Sequence, residues 1–287
     1  MGAAIEISGL TKSYGSREVL HGIDLSVEEG TCIALLGPNG AGKTVTVEIL
    51  ESYRSRDAGA VQVLGVDPAR PTTAWRERIG IVLQSSTDNG DLTPSEVLHA
   101  FAVLYPKARA VDEVLELVGL TEQAGQRARN LSGGQRRRLD VGLGIVGRPE
   151  VLFLDEPTTG FDAEARQQFW AMIKGLRSEG TTIVLTTHYL DEAEELADMV
   201  AVIASGAIRA VGPPQTIGGR DEASATVRFK LPTGAWWSQE TDTPSALVAS
   251  LVAEHGELSD LTVTRPSLED IYLAMVREEH PSEPELS

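Results

Sequence analysis

The chain has 287 residues and a formal net charge of −17, from 25 Lys and Arg against 42 Asp and Glu. Such a surplus of acid repels phosphodiester backbones unless a basic patch is segregated on one face, which argues against bulk nucleic-acid binding. The length suits one large domain plus a small one, with about 75% of the unfolded surface buried on folding.

The first residues, Met1 to Glu6, show no basic segment followed by an apolar one, and no apolar run approaches the ~18 residues that span a bilayer. Neither a signal peptide nor a transmembrane helix is expected. Residues 5–10 and 19–27 alternate apolar and polar side chains around Lys12-Ser13-Tyr14-Gly15-Ser16, which predicts an antiparallel pair with Tyr14 on the connecting loop. An aromatic there can stack on a nucleobase. The apolar run Cys32-Ile33-Ala34-Leu35-Leu36 holds the only cysteine, which reads as a small core residue without a disulfide partner, in keeping with a reducing cytosol.

Directly after that run stands Gly37-Pro38-Asn39-Gly40-Ala41-Gly42-Lys43-Thr44, in the spacing G-x-x-x-x-G-K-[ST], and residues 45–50 continue as a helix. Glycines let the backbone approach an anion, loop amides cradle phosphate oxygens, and the helix N-terminus adds partial positive charge. Lys43 is then placed for the β- and γ-phosphates and Thr44 for Mg²⁺. The chain binds a nucleotide on this reading.

Residues 59–65 and 79–83 predict two further strands, the second leading into Gln84 at the edge where α/β sheets place ligands. Thr93-Pro94-Ser95-Glu96 carries a Thr cap, a Pro at the first helical position and a Glu closing a capping box. With a second amphipathic stretch at 111–118, ended by Gly119, this predicts a helical insert over about 90–145. Leu131-Ser132-Gly133-Gly134-Gln135 again has capping-box spacing, and its glycines leave helix amides uncovered as a second anion site. Val151-Leu152-Phe153-Leu154 reads as a strand buried on both faces and ends in Asp155 and Glu156, carboxylates that need a cation or partner at that depth. Residues 181–187 form another such strand with His188 just beyond it, and 191–199 an acidic helix. Pro213-Pro214 and Gly218-Gly219 mark a boundary. Beyond it, 225–231 and 261–264 predict strands, and 246–254 and 267–276 predict helices, the last capped by Ser267 with Asp270. Trp236-Trp237 reads as local core and the acidic tail 278–287 as disordered.

The order Tyr14, loop 37–44, Gln84, Leu131-Ser132-Gly133-Gly134-Gln135, Asp155-Glu156 and His188 resembles the nucleotide-binding subunit of ABC transporters over residues 5–215. The LSGGQ run is nearly diagnostic of that family. Residues 51–57, His188-Tyr189-Leu190-Asp191-Glu192-Ala193 and Pro266-Ser267-Leu268-Glu269-Asp270-Ile271-Tyr272 are similar to the daunorubicin-resistance type of exporter ATPase. The resemblance implies an α/β P-loop NTPase fold with an antiparallel β subdomain and a helical subdomain over residues 1–215. A small α+β domain over 216–277 follows.

The same resemblance implies ATP and Mg²⁺ as ligands. Tyr14 then stacks on adenine, Thr44, Gln84 and Asp155 serve the metal, and Gln84 links that site to the membrane subunit. Glu156 is the catalytic base and His188 contacts the γ-phosphate. Ser132, Gly133, Gly134 and Gln135 close over the ATP of the opposite subunit in a homodimer, whose interface is crossed by Gly160-Phe161-Asp162. Phe161 stands where Leu is commoner. Val45 departs further, standing where the family usually carries a second Thr or Ser on the α-phosphate, so about 1–2 kcal/mol of hydrogen bonding is expected to be missing.

The implied function is ATP hydrolysis coupled to export of drugs or other hydrophobic compounds, with a separate multi-span transmembrane permease, at the cytoplasmic face of the cell membrane and without nucleic acid. Two rivals stand beside it. One is a soluble ABC ATPase with a non-membrane partner, which usually has two cassettes or a long coiled-coil insertion. The other is a regulatory module that binds ATP without turnover, which Glu156 and His188 argue against.

Overall fold

The computed structural model describes residues 2–83 and 90–277. Gln84 and the tail 278–287 therefore lie outside the described residues. The described chain falls into two compact units, one up to Val211 and one from Gly212.

In the first unit, β1 (Ala3–Tyr14) and β2 (Arg17–Glu28) form the expected antiparallel pair. The pairing runs through to Tyr14 opposite Arg17, so Tyr14 ends a strand rather than sitting on a loop. Cross-strand partners keep Lys12 to Tyr14 extended, and the turn shrinks to Gly15-Ser16. The strand β3 (Cys32–Leu36) leads to α1 (Lys43–Leu50). Next, β4 (Ala58–Val63) pairs antiparallel with β1 and completes a sheet of order β2-β1-β4.

After the short α2 (Thr73–Arg76), β5 (Ile79–Val82) enters the central sheet. The helices α3 (Pro94–Ala102), α4 (Val111–Leu117) and α5 (Gly133–Ile145) then pack together through Leu98, Val114 and Val118, with Gly142 allowing their close approach. Both halves of the capping box at Thr93 and Glu96 are made, as is Pro94 at the first helical turn.

The chain returns through β6 (Val151–Asp155), α6 (Ala163–Ser178), β7 (Thr182–Thr187), α7 (Leu190–Leu196), β8 (Met199–Ala204) and β9 (Ala207–Gly212). The acidic helix thus stops earlier than the pattern 191–199 suggests, because Met199 pairs with Ile33 in the sheet. The central sheet has the order β5-β6-β7-β3-β8-β9, and its pairs β5/β6, β6/β7, β7/β3 and β3/β8 are parallel. Every residue of β3, β6 and β7 is buried, as near-continuous apolar strands in a parallel sheet require. One core joins the two sheets of this unit through Leu10, Ile33, Val47, Trp75, Phe153 and Val184. Because four neighbouring strands run the same way, the segments after β5, β6, β7 and β3 leave from one edge, where such sheets place ligands.

The second unit holds β10 (Ala225–Lys230), β11 (Trp236–Thr241), α8 (Pro244–His255), β12 (Ser259–Thr264) and α9 (Leu268–Arg277), with sheet order β11-β10-β12. The strand β11 has no counterpart in the sequence reading. It divides the tryptophan pair: Trp237 packs on Phe229 with ring centroids 5.1 Å apart, while Trp236 is 49% exposed under Arg228. Alternation along a strand sends neighbours to opposite faces, so Trp236 is not core. Among the described residues no helix is long and apolar enough to cross a membrane.

Candidate functional site

The glycine loop is shaped by what surrounds it. A Cβ on Gly37 would stand 2.2 Å from the carbonyl oxygen of Ile203, and Gly42 has φ 105°, so neither position accepts an ordinary side chain. Gly42 caps α1 without a side-chain hydrogen bond, which leaves the first-turn amides free for an anion. Lys43 is only 6% exposed, and its ammonium donates to the carbonyl oxygens of Gly37 at 2.7 Å and Pro38 at 3.3 Å. Burial pushes its pKa down, while the charges of Glu156 and then Asp155 pull it back. The hydroxyl-bearing Thr44 is exposed, and Val45 is half-buried against the main core, which is why an apolar residue suits that position.

Asp155 and Glu156 meet β7 at Thr186. The Thr186 hydroxyl donates to Asp155 Oδ1 and accepts from the Glu156 amide at 3.1 Å, and the Thr186 carbonyl takes the same amide at 3.1 Å. Glu156 has φ 44°, a left-handed conformation that costs a non-glycine residue of the order of 1 kcal/mol. These bonds hold it there. Its carboxylate lies 3.4 Å from His188 Nδ1, with the histidine 43% and the glutamate 16% exposed. The structure thus brings Lys43, Asp155, Glu156 and His188 into one electrostatic neighbourhood at the strand ends.

The other expected residues stand apart from it. Ser132 and Gln135 complete a capping box on α5, and Ser132 and Gly133 are exposed. Among the described residues no hydrogen bond or ion pair joins 132–135 to the loop 37–44. The Asp162 side chain caps α6 by accepting from the Ala165 amide at 2.8 Å. Tyr14 is 43% exposed, with Lys12 Nζ and the Arg54 guanidinium each 5.4 Å from its ring centre. Gln84 lies outside the described residues.

Four residues escaped sequence reasoning. Thr186 looks like any strand threonine. Arg137 sits in the run Arg136-Arg137-Arg138, which reads as a basic helix face, yet it is buried and donates to main-chain oxygens of Leu83, Asp155 and Pro157. The available signal was its helical spacing from Val141 and Gly144, both buried. Glu51 is buried at the end of α1 and its carboxyl is pushed up to about 8, by burial first and then by Asp155 and Glu48. Glu192 is fully buried, and burial raises its pKa.

Comparison with known proteins agrees with this geometry. The ABC transporter family profile matches residues 20–159. The daunorubicin resistance ATP-binding protein DrrA3 of Streptomyces coeruleorubidus is 37% identical over 94% of this chain and 95% of that one. The linearmycin resistance ATP-binding protein LnrL of Bacillus subtilis (strain 168) is 32% identical over 94% of this chain and 97% of that one. Among solved structures, an ATP-binding subunit of an ABC transporter superposes with a TM-score of 0.71 at 20% identity, over 95% of this chain and 99% of that one. An ATP-binding cassette in its ADP conformation gives 0.67 at 22% identity, over 74% of this chain and 92% of that one. The chain belongs to the ATP-binding subunits of ABC transporters, is similar among them to the daunorubicin-resistance type, and is an ATPase.

Proposed function

We propose that this chain is the ATP-driven motor of an exporter for drugs or other hydrophobic compounds. It works beside a separate multi-span permease, at the cytoplasmic face of the membrane and without nucleic acid. The observation that carries the reading is the Glu156 and His188 pair at neighbouring strand ends, beside a lysine already seated in a phosphate loop. Export is supported by a relative named Nod factor export ATP-binding protein I, and the drug class by relatives named for resistance to daunorubicin and linearmycin. Residues 1–215 serve as the ATP-binding domain and 216–277 as a small appended domain.

In this reading Lys43 and the amides of α1 neutralise phosphate charge, Tyr14 supports the base, and Glu156 orients and deprotonates the attacking water. His188 holds the γ-phosphate and restrains Glu156. The donor set also fits Mg²⁺, which takes one or two protein oxygens and completes its shell with phosphates and water. Thr44 offers a hydroxyl and Asp155 a carboxylate fixed by Thr186, with Gln84 assigned to the same group. When bound, Mg²⁺ supplies charge neutralisation between the phosphates. Two chains sandwich two ATPs, with Ser132, Gly133, Gly134 and Gln135 of each closing over the nucleotide of the other, and Asp162 lies near that seam. Closure draws the permease together and hydrolysis releases it.

Glu156→Gln tests the chemistry. ATP binding should persist while turnover falls about 10²–10⁴-fold, as expected for a lost general base. Near-normal turnover by phosphate release would remove Glu156 from that role. Co-purification of the tagged chain with a multi-span membrane protein in equal amount tests the motor assignment, and recovery with wholly non-membrane partners would overturn it.

A further inference from the structure

The guanidinium of Arg137 uses all three of its nitrogens on main-chain carbonyls. Nε donates to Pro157 at 3.1 Å, Nη2 donates to Asp155 at 2.7 Å, and Nη1 donates to Leu83. The three acceptors belong to two separate strand ends. Asp155 and Pro157 bracket Glu156, and Leu83 immediately follows β5 and precedes Gln84. The donor sits in the first turns of α5, two residues after Gln135.

A buried guanidinium is expensive, and an apolar side chain of similar volume would hold the same helix at lower cost. Burial indeed lowers the Arg137 pKa, and the charges of Asp140, Asp155 and Glu192 oppose that shift. What an apolar residue cannot do is fix three carbonyls in one plane, which is the particular capacity of the arginine fork. The start of α5 is therefore pinned to the backbone on both sides of the hydrolytic carboxylate.

We propose that Arg137 is a positioning residue that couples the two ATP sites of the dimer. The inference rests on the two-chain reading given above, in which residues 132–135 meet the partner's ATP and Glu156 acts on the chain's own. Seating of the signature residues on one nucleotide moves the start of α5. Arg137 transmits that movement to Asp155 and Pro157, and so sets the Glu156 carboxylate at the other nucleotide.

The test uses the full chain and two variants. Arg137→Met removes all three bonds, and Arg137→Lys keeps the charge on a compact ammonium that cannot span three carbonyls. Arg137→Met should lower kcat about 10-fold with KM for ATP within about threefold, a loss confined to the reacting state. The Hill coefficient of ATP hydrolysis should fall to about 1, the value for uncoupled sites. Arg137→Lys should lie between Arg137→Met and the parent, and it carries the test if Arg137→Met does not fold. ATP-dependent dimerisation, followed by sedimentation in a Glu156→Gln background, separates the two ideas. If Glu156→Gln does not dimerise with ATP, the two-chain reading falls and the coupling with it. If it dimerises, yet the Arg137 variants keep the parent's kcat and Hill coefficient per folded molecule, the coupling alone is overturned.

Discussion

The edge of the central sheet that carries Lys43 and Asp155 and the unit that begins at Gly212 are stabilised in different ways. At the ends of β3, β6 and β7 and on the helices α1 and α5 that pack there, charged and polar groups are buried: Lys43, Asp155, Thr186, Glu51 and Arg137. Lys43, Asp155, Thr186 and Arg137 offset the desolvation cost with hydrogen bonds, whereas Glu51 meets it by holding its proton. In the unit from Gly212 the core cluster has three fully enclosed apolar side chains, Val227, Phe229 and Leu251, and β12 is exposed along its whole length. The first region accepts electrostatic cost to hold chemistry in place, and the second rests on a small apolar core with its polar bonds, such as Arg265 to the Asp221 and Ala223 carbonyls, at the exposed surface. The two should therefore break differently, one in function before fold and the other in fold before function.

The largest expected effect is at Lys43. Lys43→Ala should weaken ATP binding about 10²–10³-fold while leaving the thermal transition close to the parent, because a phosphate loses its main counter-charge and the core loses little. Isothermal titration with ATP checks this, and unchanged affinity would contradict the phosphate-loop reading. Phe229→Ala gives the opposite pattern. Removing a buried aromatic costs about 3–5 kcal/mol, enough to unfold the small unit, and ATPase activity should stay within about twofold. Limited proteolysis beyond residue 212, run beside the ATPase assay, would show whether the regions are separable in this way.

Thr186→Val lies between the two. It keeps volume but removes the hydroxyl that holds Asp155 and the Glu156 amide, so turnover should fall by about tenfold with a stability loss of about 1–3 kcal/mol. A stability loss with full turnover would make Thr186 merely structural.

Glu51 predicts a pH signature for the nucleotide-free chain. Its folded pKa of about 8 lies above the ordinary value of 4.5, so the folded chain keeps a proton that the unfolded chain releases between those values. Stability from this group is full below about pH 4.5, declines as pH rises, and levels off above about pH 8. Glu51→Gln should abolish the decline and raise stability at pH 8 by about 1–3 kcal/mol, with little gain at pH 4.5. Denaturant midpoints at the two pH values give the comparison. The smallest effect belongs to Ser52, which has φ 66° just after the end of α1. Ser52→Gly should stabilise by about 0.5–1 kcal/mol, because glycine adopts that conformation without strain.

Some of this was legible in the residues alone, for a local reason. Gly37 to Thr44, the capping boxes at Thr93 with Glu96 and Ser132 with Gln135, and the strand ending in Asp155 each encode geometry within a few residues, so spacing alone predicts them. Tyr14 and the 191–199 helix were misjudged for the complementary reason: pairing with Arg17 and with Ile33 overrode the local pattern. Trp236 and Trp237 could not be told apart before β11 assigned them to opposite faces. Tertiary structure alone decided that Arg137 points inward while its neighbours in the run do not. It alone made one hydroxyl, Thr186, support two carboxylate residues some thirty positions earlier, and set Glu51 in the field of Asp155. A local backbone conformation is determined by neighbours in the chain. The cost of a buried charge, and the partner that offsets it, is determined by groups that only the fold brings near.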